Sequence, residues 1–463
     1  MTSRPNVLVL MCDQMQAGRL GCAGDPVADT PFLDSLATEG VRFTHMVSAH
    51  GQCVPSRASF ITGLPPHECG VVVNYGFYQH QNRLNPARHR TLGHVFSDAG
   101  YHTAYFGKCH FGVSIDSLGY GEGIDHDNRR VEDDEAQDRG MAHVPKSLRR
   151  DYVAAEDAVE WLQKYEPESE RPLFFTFSTN LPHPPFFHEP KHAVEADTLE
   201  LPVSYYEETF ATKPTWQKQH ADGSHSAGDE TQAREELAQY YSMIAMMDEH
   251  YRRVADEFKR LGLWENTIVL FVADHGDMMG AHGISKKGTL PYEELYRVPC
   301  IMKLADGQQA RRAVVDDLLS SVQLAGSLST LAEVDARGAF PHGDLCAALD
   351  SDQHPDDEIV FFEHHAAYWG VHPFYGAHTR DFKYVKYFGD SDAGFGDAHA
   401  GQEELYHLAT DPHELVNVAG LPEHAATRGR LAEAADAWWQ NTGGRDFAWY
   451  ESDTFRNNQH NTQ

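Results

Sequence analysis

Cys53 heads the run Cys53-Val54-Pro55-Ser56-Arg57, which continues to Thr62-Gly63. Pro55 and the residues after it can open a helix, whose unpaired N–H groups and positive dipole end favour a bound anion. Arg57 follows Cys53 by four residues, so on that helix the two share a face. A planar guanidinium there can hold both a nucleophile and an anionic oxygen. Taken alone, Cys53 reads equally well as a small buried hydrophobe. Asp13-Gln14 and Asp274-His275-Gly276-Asp277 each follow a strand-like apolar run. One Asp at a strand end is commonly a turn or cap residue, but two at matching strand ends bring carboxylates to the place where open α/β sheets bind ligands. In Gly107-Lys108-Cys109-His110, a strand that continued would point Lys108 and His110 to one face, presenting a cation beside a titratable base.

These residues need a scaffold that delivers strand ends to one place. Asn6 to Cys12, Tyr101 to Phe106, Pro172 to Phe177 and Thr267 to Ala273 read as buried strands alternating with helical patterns, the signature of a mainly parallel sheet. Thr30-Pro31 opens a helix that Gly40 closes, and Thr91 opens another that ends at Gly100. The longest helix has apolar positions from Leu237 through Tyr241, Ile244, Met247, Tyr251, Val254 and Phe258 to Leu261, a core stripe to which no chemistry is assigned. Val113 to His143 and Tyr205 to Asp229 read as excursions, where substrate selectivity is expected to lie. From Glu358 the pattern changes to Ile359-Val360-Phe361-Phe362, then Phe382 to Phe388, then a helix ending near Trp438-Trp439. The fold expected is α/β: a large mixed, mainly parallel sheet sandwiched by helices over 1–357, and a smaller α+β domain with an antiparallel sheet over 358–463.

The formal charge of -31 argues against nucleic acid or an anionic membrane as partner, so an anionic substrate needs a local cluster of Lys, Arg, His and metal to reverse the field. The 7 cysteines show no paired metal-type spacing and fit free thiols in a reducing compartment. Met1 to Pro5 runs straight into the first strand without a charged leader and apolar core, so a cytoplasmic place is expected. The polar end from Asp453 to Gln463 is expected to fray, and the aromatic region before it to support a homo-oligomer.

Cys53-Val54-Pro55-Ser56-Arg57 resembles the Cys-x-Pro-Ser-Arg element that a modifying enzyme recognises in the type I sulfatases, a family with an alkaline phosphatase-like fold. Gly107-Lys108-Cys109-His110 is similar to the family's Gly-Lys-x-His. His183 in Asn180-Leu181-Pro182-His183-Pro184-Pro185-Phe186 also matches a family position. So does Lys287, which stands after His282-Gly283 and before Tyr292-Glu293-Glu294 and Arg297-Val298-Pro299. Glu404-Leu405-Tyr406-His407-Leu408, with Asp411-Pro412 and Glu414-Leu415, resembles the closing signature of the family's C-terminal domain. The resemblance implies that a formylglycine-generating enzyme converts Cys53 to 3-oxoalanine. It also implies that Asp13, Asp274, His275 and the modified Cys53 bind one divalent cation, with Gln14 as a further oxygen ligand.

Many members carry two acids where this chain has Asp13-Gln14, and Asn where it has His275. Mostly oxygen ligands imply calcium, and the imidazole brings manganese or magnesium into range. The mechanism implied is attack of the hydrated aldehyde on the sulfur of a small sulfate monoester, with Lys108, Lys287, Arg57 and the metal neutralising the sulfuryl oxygens. His183 protonates or positions the leaving group, and His110 deprotonates the remaining hydroxyl so that sulfate departs and the aldehyde returns. A phosphonate monoester or phosphodiester hydrolase with the same formylglycine fits these motifs as the alternative. A silent binder of sulfated ligands, with Cys53 unconverted, and a hydrolase using the free thiol are further readings.

Overall fold

The computed structural model describes residues 4–74, 83–127, 129–168, 171–287, 290–351, 358–365, 372–388 and 403–455. Its centre is built by four apolar runs. β1 (Asn6–Cys12), β3 (His102–Gly107), β5 (Leu173–Ser178) and β6 (Thr267–Ala273) pair in parallel in the order β3-β5-β1-β6. β1, β5 and β6 are buried along their whole length, which is why they read as unbroken apolar runs rather than alternating ones. β4 (Glu122–Asp125) adds an edge beyond β3. On the far side come β7 (Arg297–Lys303), β2 (Val41–Val47) and β8 (Val314–Ser320). β7 runs antiparallel to β6 and β2, so the 8-stranded sheet is mixed but mainly parallel.

Consecutive strand residues point to opposite faces, and β5 shows that helices cover both. Phe174 stacks on Phe96 of the helix Leu92–Asp98, with centroids 4.3 Å apart, while Phe175 meets Phe258 of the helix Glu230–Arg260 at 5.9 Å. The long helix starts in a capping box, Asp229 with Gln232. The helix Pro31–Glu39 begins and ends as expected, at Thr30 and Gly40, but Thr30 does not cap it. Asp248 of the long helix does so instead, accepting from Phe32 N at 3.0 Å and Leu33 N at 2.9 Å.

The second sheet is antiparallel, each strand pairing with the next along the chain. Its strands are β9 (Val360–His364), β10 (Phe374–His378), β11 (Phe382–Tyr387) and β12 (Glu403–His407). The helix Ala425–Asn441 covers it, with Trp439 stacked on Tyr375 at 4.9 Å. Glu363 N bonds Ala49 O at 3.0 Å and the Glu363 carboxylate accepts from His67 N at 2.7 Å, so the small sheet is docked beside the helix that begins at Cys53. The boundary expected at 357 adjoins residues 352–357, and the tail beyond 455 likewise lies outside the described residues.

Neither excursion is a plain loop. The first contains β4 and the helix Asp133–Asp138. The second contains the helix Thr215–Ala221, whose Trp216 and Gln217 are buried. All 7 cysteines are free, and no helix among the described residues is long and apolar enough to cross a membrane.

Candidate active site

The parallel strands deliver their ends to one point. Asp13 follows β1, Lys108 follows β3, Asn180 follows β5 and Asp274 follows β6. The helix Cys53–Thr62, buried at all ten of its positions, brings Cys53 to the same place. The helix starts at Cys53 itself rather than at Pro55. Pro55 therefore lies in the first turn, where a missing N–H costs nothing. Asn74 Oδ1 accepts from Val54 N at 3.0 Å. Ser56 and Ser48 both donate to the Asp274 carbonyl, at 2.5 and 2.6 Å, fastening the helix to the end of β6.

One ligand atom each from Asp13, Cys53, Asp274 and His275 lies within 4.8 Å of the others, all of them buried. Cys53 Sγ is 3.2 Å from His275 Nε2 and 3.5 Å from Asp13 Oδ1. His275 Nδ1 is 2.8 Å from the Gly276 carbonyl, which can only accept, so the proton sits on Nδ1 and the Nε2 lone pair faces the cluster. Burial opposes charge on His275, but Asp274 and Cys53 outweigh it and raise its proton affinity. A lone pair that attracts a proton this way equally attracts a cation. Gln14 donates through Nε2 to Asp277, while its buried Oε1 has no hydrogen-bond partner among the described residues. Two carboxylates, an imidazole lone pair and this orphaned amide oxygen fit a divalent cation.

Cations surround the nucleophile. Lys287 Nζ is 3.1 Å from Cys53 Sγ and 3.2 Å from His183 Nε2. Lys108 Nζ pairs with Asp13 Oδ2 and donates to Asn180 Oδ1 at 3.2 Å. Burial and Asp13 would raise the Cys53 thiol, but Lys287, Lys108 and His275 outweigh them and hold it below the ordinary thiol range. Burial opposes ionisation of Asp13, yet Lys108, His183, Lys287 and Arg57 hold it well below the carboxylate range. The local cations thus favour the anionic forms of Asp13 and Cys53.

Arg57 has a different post from the one its spacing suggests. It is fully buried, and its bonds go to Asp274 Oδ2 from Nε at 2.7 Å, and from Nη1 to Ser178 Oγ at 2.8 Å and Lys108 O at 3.1 Å. It therefore aligns a carboxylate and two strand ends instead of gripping the nucleophile. His110 corrects a second expectation. β3 ends at Gly107, and His110 has a φ of 59°, so it does not share a continuing strand face with Lys108. Burial and Lys108 nonetheless push its ring well below the usual range, leaving a neutral base in the field of the site. His183 is likewise driven well below its usual range, by burial and then by Lys287. Asn74, Ser48, Ser178 and Asp277 were not predicted. Only Asp277, inside the Asp274-His275-Gly276-Asp277 run, carried any signal.

Residues 5–334 match the family model of the sulfatases. The chain belongs to the sulfatase family. A second family model, the C-terminal part of N-sulphoglucosamine sulphohydrolase, matches residues 280–438 of this sulfatase family member. The uncharacterized sulfatase YidJ of Escherichia coli K12 is 26% identical over 465 residues, covering 93% of this chain and 86% of its own. Among solved structures, BT4656, described with its substrate D-glucosamine-2-N,6-O-disulfate, has a TM-score of 0.77 at 19% identity, covering 95% of this chain and 98% of its own. The phosphonate monoester hydrolase of Agrobacterium radiobacter has a TM-score of 0.75 at 21% identity, covering 95% and 96%. The mixed sheet with its antiparallel C-terminal companion is the sulfatase fold.

Proposed function

We propose that this sulfatase family member hydrolyses a small sulfate monoester, an aryl, alkyl or sugar sulfate, at Cys53 after its conversion to formylglycine. The observation that carries the reading is the meeting of Cys53 with Asp13, Asp274 and His275 on one side and Lys287 and His183 on the other. Hydrated, the aldehyde would supply a hydroxyl nucleophile where Sγ now stands, and a cation held by Asp13, Asp274, His275 and Gln14, calcium by its oxygen-rich set, would supply positive charge to lower that hydroxyl's pKa.

The chain's own residues do the rest. Lys287 and Lys108 flank the nucleophile and hold the sulfuryl oxygens, whose charge grows in the transition state. His183 Nδ1 donates to the Pro184 carbonyl at 2.6 Å, so its Nε2 accepts from Lys287 and the pair keeps one mobile proton beside the departing alcohol oxygen. His110, neutral by burial, is the base for the second step. Arg57 keeps Asp274 and the ends of β3 and β5 aligned.

Peptide mass spectrometry across position 53, on protein made alongside a formylglycine-generating enzyme, tests the first element. A loss of roughly 18 Da from the thiol is expected, and thiol alone would overturn the formylglycine reading. Turnover of an aryl sulfate against an aryl phosphonate tests the second, since Gln14 and His275 among the ligands also suit a phosphonate monoester or phosphodiester hydrolase. Preference for the phosphonate would move the assignment there.

A further inference from the structure

The loop from Asp277 to Lys287 carries three residues other than glycine in the left-handed region, Met279 at φ 41°, His282 at 55° and Lys286 at 61°. Each is a strained conformation for a residue with a side chain and persists only where the surroundings enforce it. The enforcement comes from the segment that the sequence marks as an excursion and from Ser204 just before it. His282 Nδ1 donates to Glu208 Oε2 at 2.5 Å, and the same carboxylate pairs with Lys213. The His282 backbone N–H donates to Ser204 Oγ at 3.1 Å. Backbone bonds from Ala227 to Gly283 and from Ser285 to His225, both 2.8 Å, hold the loop on either side. Tyr292 stacks on the His282 ring with centroids 3.8 Å apart, and Lys213 Nζ lies 4.6 Å from the Tyr292 centroid. The side chains of Glu208, Lys213 and His282 are at most 2% exposed, so this is a buried, water-excluded clamp.

We propose that Glu208, Lys213 and His282 are positioning residues that hold the strained loop so that Lys287 Nζ meets the nucleophile and His183. The inference rests on the reading of Lys287 as the cation of sulfuryl transfer. A loop free to relax its left-handed residues would carry Lys287 off its 3.1 Å contact, and misplacement by about 1 Å costs up to roughly a hundredfold in rate.

A double-mutant cycle with hydrogen exchange tests it. Glu208→Gln is expected to lower kcat on 4-nitrophenyl sulfate about tenfold or more, and to lose most of that effect in a Lys287→Ala background, because coupled residues are not additive. Amides of residues 278–287 should exchange faster in Glu208→Gln. His282→Asn, which tolerates left-handed backbone and retains a donor toward Glu208, should keep more activity than His282→Ala. Equal losses from Glu208→Gln with and without Lys287, or unchanged exchange across the loop, would overturn the positioning role. Full turnover in Lys287→Ala alone would instead sink the reading of Lys287, leaving the exchange result to judge the clamp. If Glu208→Gln does not fold, the His282→Asn and His282→Ala pair decides, and equal activity in the two would overturn the proposal.

Discussion

Replacing Arg57 with methionine keeps a long apolar stem and removes only the guanidinium, so its cost can be worked from three bonds. The Nε bond to Asp274 at 2.7 Å is charge-assisted and worth about 1.5 to 3 kcal/mol, and the two Nη1 bonds add about 1 kcal/mol each. Removing one partner of a buried ion pair independently costs about 3 to 5 kcal/mol, so about 4 kcal/mol is the expected loss. With an unfolding entropy of about 2.1 cal/mol/K per residue, the 463 residues give roughly 1 kcal/mol per degree, and the melting temperature should fall by about 4 °C. The substitution also leaves Asp274 without its charged partner beside Asp13. Calcium should therefore raise the melting temperature of Arg57→Met more than that of the wild type. Scanning calorimetry of both proteins, in EDTA and then with calcium, reads both effects. A variant that melts within about 1 °C of the wild type in EDTA would refute the claim that the guanidinium aligns the carboxylates.

Lys287→Ala removes a charged donor aimed at the reacting group and should lower kcat on an aryl sulfate by about a hundredfold to a thousandfold. The fold should survive, with Asp13 still paired to Lys108, and calorimetry would check that. Cys53→Ala should abolish turnover outright, and residual activity at the wild-type level would remove the nucleophile from the scheme. Burial opposes ionisation of Glu208, but His282 and Lys213 hold its pKa at about 2. A depressed carboxylate favours folding above its unfolded pKa, and that contribution disappears as pH falls toward about 2. The stability gap between wild type and Glu208→Gln in urea should hence shrink between about pH 6 and about pH 3, and a constant gap would contradict the pairing. Asp248→Ala exposes the first amides of the helix Pro31–Glu39, costs about 1 to 2 kcal/mol, and should accelerate exchange at Phe32 and Leu33.

The strands whose ends build the site were legible because burial on both faces leaves no polar alternation, as in Val7 to Leu10 and Ile268 to Val272. Each was found within a residue of its place. β2, β4, β7, β8, β10 and β12 were not recognised. β2 mixes Arg42, Thr44 and His45 into a half-buried face, β7 contains Pro299, and β12 opens on two acids, Glu403 and Glu404. Motif positions showed which residues meet but not how. Arg57 shares a helix with Cys53, yet which side its guanidinium serves depends on Asp274, 217 residues away. The left-handed turn at His110 and the clamp from Glu208 also depend on tertiary partners, so no local pattern announces them.

The burial of every residue from Cys53 to Thr62 has a consequence for the timing of biogenesis. An enzyme that oxidises Cys53 must hold the thiol and the flanking Val54, Pro55, Ser56 and Arg57 in its own cleft. In the finished fold these residues are buried and bonded to Asn74, Ser48, Asp274 and Ser178, and Cys53 is 1% exposed. Maturation on the proposed route therefore belongs to the nascent or unfolded chain. On that route, a molecule that folded before its cysteine was converted would be locked out of repair, and the active fraction of a preparation would record a race between oxidation and folding.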